Sequence, residues 1–271
     1  MDSRQNNPKQ LQNAIFFCLL WIVFAFTILF LLLLMMGLIS YSDLSTLFNI
    51  LKQVEFHFAL KFTLWTSLVA TIFATIIALP CAYILSRYKL PGRVFLDTML
   101  DMPIVLPPLI SGIALLIFFG PVLGDHLAQA GIKIVFTPLG VIIAQCFIAT
   151  PYAIKTFKQA FASIDQRMEN IARTLGFSPP NVFLKVTLPL AKNGIIAGIM
   201  MAWTRALGEF GATAMLAGIT RMKTETLSVA VFLNMSIGDI KFAISTAIVM
   251  LFIAFVLLII LKILLRNEVS V

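Results

Sequence analysis

The sequence predicts an all-α integral membrane protein with six transmembrane helices. Three observations lead there. Of its 271 residues 60% are hydrophobic and only 12% charged, with a mean hydropathy of +1.00. A soluble domain carries about twice that charged fraction. The apolar residues come in runs long enough to cross the roughly 30 Å of hydrocarbon in a bilayer. Those runs are continuous rather than alternating, which selects helices over a β-barrel.

The first run, 14–39, is too long for a signal-peptide core and lacks a convincing small-residue cleavage site, so it reads as a retained span. The second covers 62–85. The third, 102–119, carries Pro103, Pro107 and Pro108, which remove backbone donors and break helical geometry. The fourth, 139–154, is short, and neighbouring helices are expected to satisfy the freed backbone groups of both. The fifth and sixth runs cover 194–216 and 242–265. They make one transmembrane domain over 1–271, with a polar segment at 155–193 as its longest connection. No strong internal repeat supports an inverted-repeat carrier.

Loop charges orient the spans. Arg4, Lys9, Arg87, Lys89, Arg93, Lys155, Lys158, Arg167, Arg173, Lys185, Lys192, Lys262 and Arg266 fall on one side, thirteen in all. Lys52, Lys61, Lys133, Arg221, Lys223 and Lys241 fall on the other. The richer side is expected to be cytoplasmic, with both termini and the 155–193 segment there. The net charge of +8 therefore reads as membrane orientation rather than nucleic-acid binding. Cys18, Cys81 and Cys146 sit in apolar runs and read as small buried hydrophobes. His57 and His126 lie far apart and make no metal site. Asn234-Met235-Ser236 fits a glycosylation sequon, a short pattern that often arises by chance.

The polar segment has its own logic. Asp165 can cap a helix in which Met168, Ile171, Ala172 and Leu175 share one face. Gly176 stands where a left-handed C-terminal cap is wanted. Ser178-Pro179 restarts a helix whose apolar side is Val182, Phe183 and Val186, and Pro189 ends it. Such a unit reads either as a hairpin resting on headgroups or as a peg for a groove on a cytoplasmic partner.

Charge also occurs inside the membrane. Arg205 lies about 16 Å into the fifth run at about 1.5 Å per residue, and Glu209 one turn further. Groups at that depth pair with one another or line a wet path. The two therefore read as an i,i+4 ion pair or as an anion's route. Gly208 and Gly211 suit close packing or a bend, and Ser111 faces a path or a packed kink. Asp97 and Asp101, beside Arg93, read as a solvated interfacial cluster. No Gly-x-x-x-x-Gly-Lys-[Ser/Thr] loop and no nucleophile–base constellation occurs. The chain is read as no enzyme, with no catalytic or metal-binding residues.

Anchored on Gly176, the segment resembles the coupling loop of permease subunits of ATP-binding-cassette importers, Glu-Ala-Ala, three residues, Gly, nine residues, Ile, one residue, Leu-Pro. Ala172, Val186, Leu188 and Pro189 fall in register, whereas Asn170 and Ile171 depart from the glutamate and first alanine. Glu169, one residue earlier, is expected to take over the acidic contact. Residues 204–213 (Thr-Arg-Ala-Leu-Gly-Glu-Phe-Gly-Ala-Thr) and 106–114 are similar to the fifth and third spans of permeases for molybdate, tungstate and sulfate. Residues 218–227 lean toward the molybdate/tungstate branch.

The resemblance implies a type I importer permease fold in a bacterial or archaeal cytoplasmic (inner) membrane. It implies two permease copies forming the path as a homodimer, docked on cytoplasmic ATPase subunits, and an extracytoplasmic binding protein delivering the oxyanion. ATP and Mg would bind on the ATPase, and no cofactor on this chain. The docking loop would use Asp165, Met168, Glu169, Asn170, Ala172, Leu175, Gly176, Phe183 and Pro189. The path or intramembrane pair would use Arg205, Glu209, Gly208 and Ser111. The alternatives are a sulfate/thiosulfate permease of the same kind and a self-sufficient secondary anion carrier.

Overall fold

A computed structural model describes residues 8–42 and 44–269. Arg4 lies outside them, as do the side chains of Lys9 and Arg266. The described residues contain helices and no strand. Helix α1 (Pro8–Ser40) is apolar on every side, so no stripe turns it toward a particular core. Its apolar stretch Ile15–Ser40 has no residue that is buried against the described remainder of the chain, and Cys18 is exposed there rather than buried. After the short α2 (Leu44–Ile50) comes α3 (Val54–Arg87), whose 34 residues run about 50 Å.

The third apolar run is not one helix. Helix α4 (Arg93–Val105) and the segment Pro108–Val122 meet at 108°. Leu106 is extended (φ −68°, ψ 135°) because the proline after it disfavours the α region. Pro108 then opens α5 (Pro108–Ile117), which a π-helical turn continues over Phe118–Val122. Helix α6 (Gly124–Gln129) leads to α7 (Pro138–Ala162), where Thr137 accepts the Gly140 N–H as N-cap. At 25 residues α7 is longer than the short span expected, and it takes in 155–162, read above as loop.

The polar segment folds as α8 (Gln166–Thr174), α9 (Pro179–Val182), a π-helical turn at Phe183–Thr187, and α10 (Leu188–Leu190). Helix α11 (Lys192–Leu207) follows at 77° to Pro179–Leu190. The fifth run is broken too. Helix α11 stops at Gly208 and α12 (Gly211–Ala217) starts after Glu209 and Phe210. Helix α13 (Leu227–Ser236) and α14 (Ile240–Val269) complete the chain. Four helices are individually long and apolar enough to cross a membrane, and six spans result if each bent pair counts as one.

Small side chains let the central helices approach closely. Ala74, Ala78 and Ala82 of α3 pack with Ala149 and Ala153 of α7 and Ala202 and Ala206 of α11, and buried Phe157 and Phe161 fill the remainder. At the opposite end of α3, Phe56 and Ala59 join Ile50, Leu227, Ala230 and Phe242. Asn234 is buried there, its Nδ2 donating to Ala230 O and its Oδ1 accepting from Arg221, which leaves the sequon side chain enclosed.

Candidate functional site

Two regions concentrate the polar residues singled out by sequence. The first is the helix–break–helix unit beside the end of α3 that carries Arg87. Asp165 caps α8 by accepting the Arg167 N–H at 2.9 Å. Gly176 has φ +87°, the left-handed conformation in which a Cβ is strained. Ser178 is extended before α9 but makes no side-chain cap.

Helix α8 presents its apolar face outward. Met168, Ile171 and Leu175 are 54%, 55% and 73% exposed, and Asn170 and Pro189 are also at the surface. Ala172 faces inward. An apolar stripe on the open side of an otherwise polar helix marks a contact with another protein or with lipid headgroups.

With Ala172, two more residues assigned to that surface turn the other way. Glu169 is 3% exposed. Its Oε1 accepts from Arg87 Nε at 2.8 Å and Thr187 Oγ1 at 2.9 Å, and its Oε2 from Tyr83 at 3.4 Å. A buried carboxylate needs such partners, so it offers no acidic contact to another protein. Phe183 is half-buried, packed edge-on to Tyr83 at 4.9 Å and tilted against Phe161 at 6.1 Å. Its partners Tyr83 and Phe161 come from α3 and α7, so spacing within the segment could not show this packing.

The second region lies where the two broken runs meet. A Cβ on Gly211 would sit 3.0 Å from Leu109 N, and one on Gly112 would sit 2.7 Å from Ala212 Cα. Helices α5 and α12 thus touch backbone to backbone, immediately beyond both breaks. Gly208 has no such neighbour: its nearest is Thr204 O at 3.9 Å, so it ends a helix rather than packing one. Arg205 Nη1 lies 2.6 Å from Glu209 Oε2, and Glu209 Oε1 accepts the Ala212 N–H at 2.9 Å. The pair therefore staples α11 to α12 across the break. Arg205 also stands 5.9 Å above the Tyr152 ring and keeps a quarter of its side chain exposed.

Ser111 Oγ, Thr213 Oγ1 and both amide atoms of Gln145 are buried with no hydrogen-bond partner among the described residues. They sit beside the cluster formed by Leu115, Ala144, Ile148, Ala212 and Leu216. Gln145 escaped the sequence reading, although a glutamine inside an apolar run was a usable signal. Asp97, near the start of α4, bonds Lys158 at 2.7 Å and lies 3.8 Å from Arg93. It ties α4 to α7 at the interface. No group of three or more His, Cys, Asp or Glu side chains could hold a metal among the described residues.

The described residues thus form a helical membrane bundle with two spans broken side by side and an apolar peg exposed at one end. Its fold is that of a type I ABC importer permease. A chain of a bacterial ABC transporter importing the acidic polysaccharide alginate superposes with a TM-score of 0.76 at 15% identity, covering 96% of this chain and 98% of that one. The methionine ABC transporter MetNI gives 0.58 at 17%, over 77% and 94%.

The chain belongs to the family described as the binding-protein-dependent transport system inner membrane component, whose model matches residues 71–267. Among relatives, the probable transport system permease protein NifC of Clostridium pasteurianum is 34% identical over 86% of this chain and 82% of its own. The sulfate transport system permease protein CysT of Salmonella typhimurium is 37% identical over 71% and 70%. A probable molybdenum ABC transporter permease of Haloferax volcanii is 38% identical over 69% of each.

Proposed function

We propose that this chain is the permease subunit of an ATP-driven oxyanion importer, for molybdate or tungstate first. The observation that carries the reading is the outward apolar face of α8, held on a glycine-capped peg. Both molybdenum and sulfate permeases are among its relatives, at 38% and 37% identity. The choice within the group rests on the resemblance of residues 218–227.

Two copies would enclose the path, each docking a separate cytoplasmic ATPase that holds ATP and Mg. Hydrolysis belongs to that subunit. A binding protein on the other face would deliver the anion near the 218–226 loop. Nucleotide binding would draw the ATPases together, move the two α8 pegs, and shift the bundle between inward-open and outward-open states.

The paired breaks beside Ser111 and Arg205 would be the hinge points of such a bundle, because the helical backbone bonds are interrupted there. Arg205, neutralised by Glu209, would lend an anion a partial positive charge without trapping it. Anion-dependent ATPase activity of the assembled transporter is the test. Stimulation by molybdate-loaded binding protein, competed by tungstate, supports the assignment. Response to sulfate alone replaces it with the sulfate reading.

A further inference from the structure

We infer that Glu169 is the positioning residue that couples the docking helix α8 to the membrane helices. This rests on the proposed reading of α8 as the ATPase-docking element. A docking helix whose outer face is apolar must pass displacement inward through its inner face. Its inner face carries one acidic side chain, Glu169, 3% exposed.

That carboxylate is a junction of three segments. Arg87, the last residue of α3, donates Nε to Oε1 at 2.8 Å and Nη2 to Ile164 O at 3.2 Å, holding the turn between α7 and α8. Thr187, at the end of the π-helical turn that leads into α10 and α11, donates to the same Oε1 at 2.9 Å. Tyr83 reaches Oε2 at 3.4 Å while its ring packs on Phe161 and Phe183. Arg173, 3.9 Å from Oε2, is half exposed and adds little.

Charge-assisted bonds at these lengths are stiff, and Arg87 is only 6% exposed, so water cannot replace a broken contact cheaply. A push on Met168, Ile171 and Leu175 therefore moves the end of α3 and the start of α11 together with α8. Those are the ends of the helices that run to the two broken spans.

The experiment uses the complete transporter, with ATPase and binding protein, in proteoliposomes. Glu169→Gln should keep the ATPase subunits bound and hydrolysing while molybdate uptake per ATP falls at least tenfold. The exchanged pair Arg87→Glu with Glu169→Arg should transport better than either single variant, as mutually compensating neighbours do. Glu169→Gln uptake within twofold of wild type overturns the inference. So does loss of bound ATPase, which would make Glu169 a shaper of the docking surface only. An exchanged pair no better than its parents overturns it as well. Met168→Glu with Ile171→Glu tests the docking reading separately: ATPase still bound to that variant removes α8 as the docking helix, whatever Glu169→Gln does.

Discussion

Arg205 and Glu209 form an ion pair 2.6 Å long at the point where α11 ends and α12 has not begun. The arginine belongs to the last turn of α11, and the glutamate's other oxygen caps the first turn of α12. One carboxylate, 1% exposed, thus holds the Arg205 charge with one oxygen and one backbone N–H of α12 with the other.

Removing the arginine should harm the fold more than neutralising the glutamate. Arg205→Met leaves a buried, unpaired carboxylate, a loss of about 3 kcal/mol. Glu209→Gln keeps an acceptor for the Ala212 N–H and leaves an arginine that already reaches solvent, so its loss is smaller. Thermal midpoints of the detergent-solubilised protein should rank wild type, then Glu209→Gln, then Arg205→Met. The reverse order of the variants would show that the pair does not staple the break.

The crossing of α5 and α12 admits no side chain at Gly112. Its Cβ would meet Ala212 Cα and Met215 Cβ, both at 2.7 Å, and overpacking of this kind costs about 1–3 kcal/mol. Gly112→Ala should lower the thermal midpoint clearly, whereas Gly208→Ala, with 3.9 Å to its nearest neighbour, should not. Equal effects at the two positions would contradict the close crossing.

Charge placed on the outer face of α8 should separate docking from folding. Ile171→Glu replaces a half-exposed apolar side chain, so the stability of the purified chain should stay within about 0.5 kcal/mol of wild type, as with surface changes generally. Co-purification of the ATPase should fall at least tenfold. Retained ATPase at full stoichiometry would contradict the docking face.

The 218–226 loop should prefer acid. Burial pushes the Glu225 carboxyl above its ordinary value of 4.5; the Met222 N–H and Arg221 pull it down, and Glu55 pushes it up. A carboxyl raised in the folded state binds its proton more tightly there. Stability is therefore gained as pH falls through the raised value and is complete below the ordinary one. Above that window the charge is a liability. Glu225→Gln, which still accepts from Met222, should melt higher than wild type at pH 8, and the gap should close as pH falls toward about 5. A gap that widens on acidification would contradict this.

The helical membrane character was legible because apolar length alone marks α1, α3, α7 and α14. The breaks were harder. Pro107 and Pro108 signal disturbance in the third run, but a 108° bend depends on where α4 rests against α7, which Asp97 and Lys158 join from positions 61 residues apart. The fifth run reads as continuous because Gly208 and Gly211 are ordinary residues in membrane helices. Only the α5 crossing requires one of them to be small.

In the polar segment, Gly176 and Asp165 were readable as local geometry, each acting within a few residues. The inward turns of Glu169 and Phe183 depend on Arg87 and Tyr83, more than eighty residues earlier in sequence. No spacing rule within the segment contains that information.

The most direct test of the central claim is uptake of labelled molybdate into proteoliposomes carrying this chain with and without its ATPase, binding protein and ATP. Uptake that needs all three, and that tungstate competes, is the predicted result. Molybdate flux through the chain alone, without ATPase or ATP, would contradict it and make the protein a self-sufficient carrier.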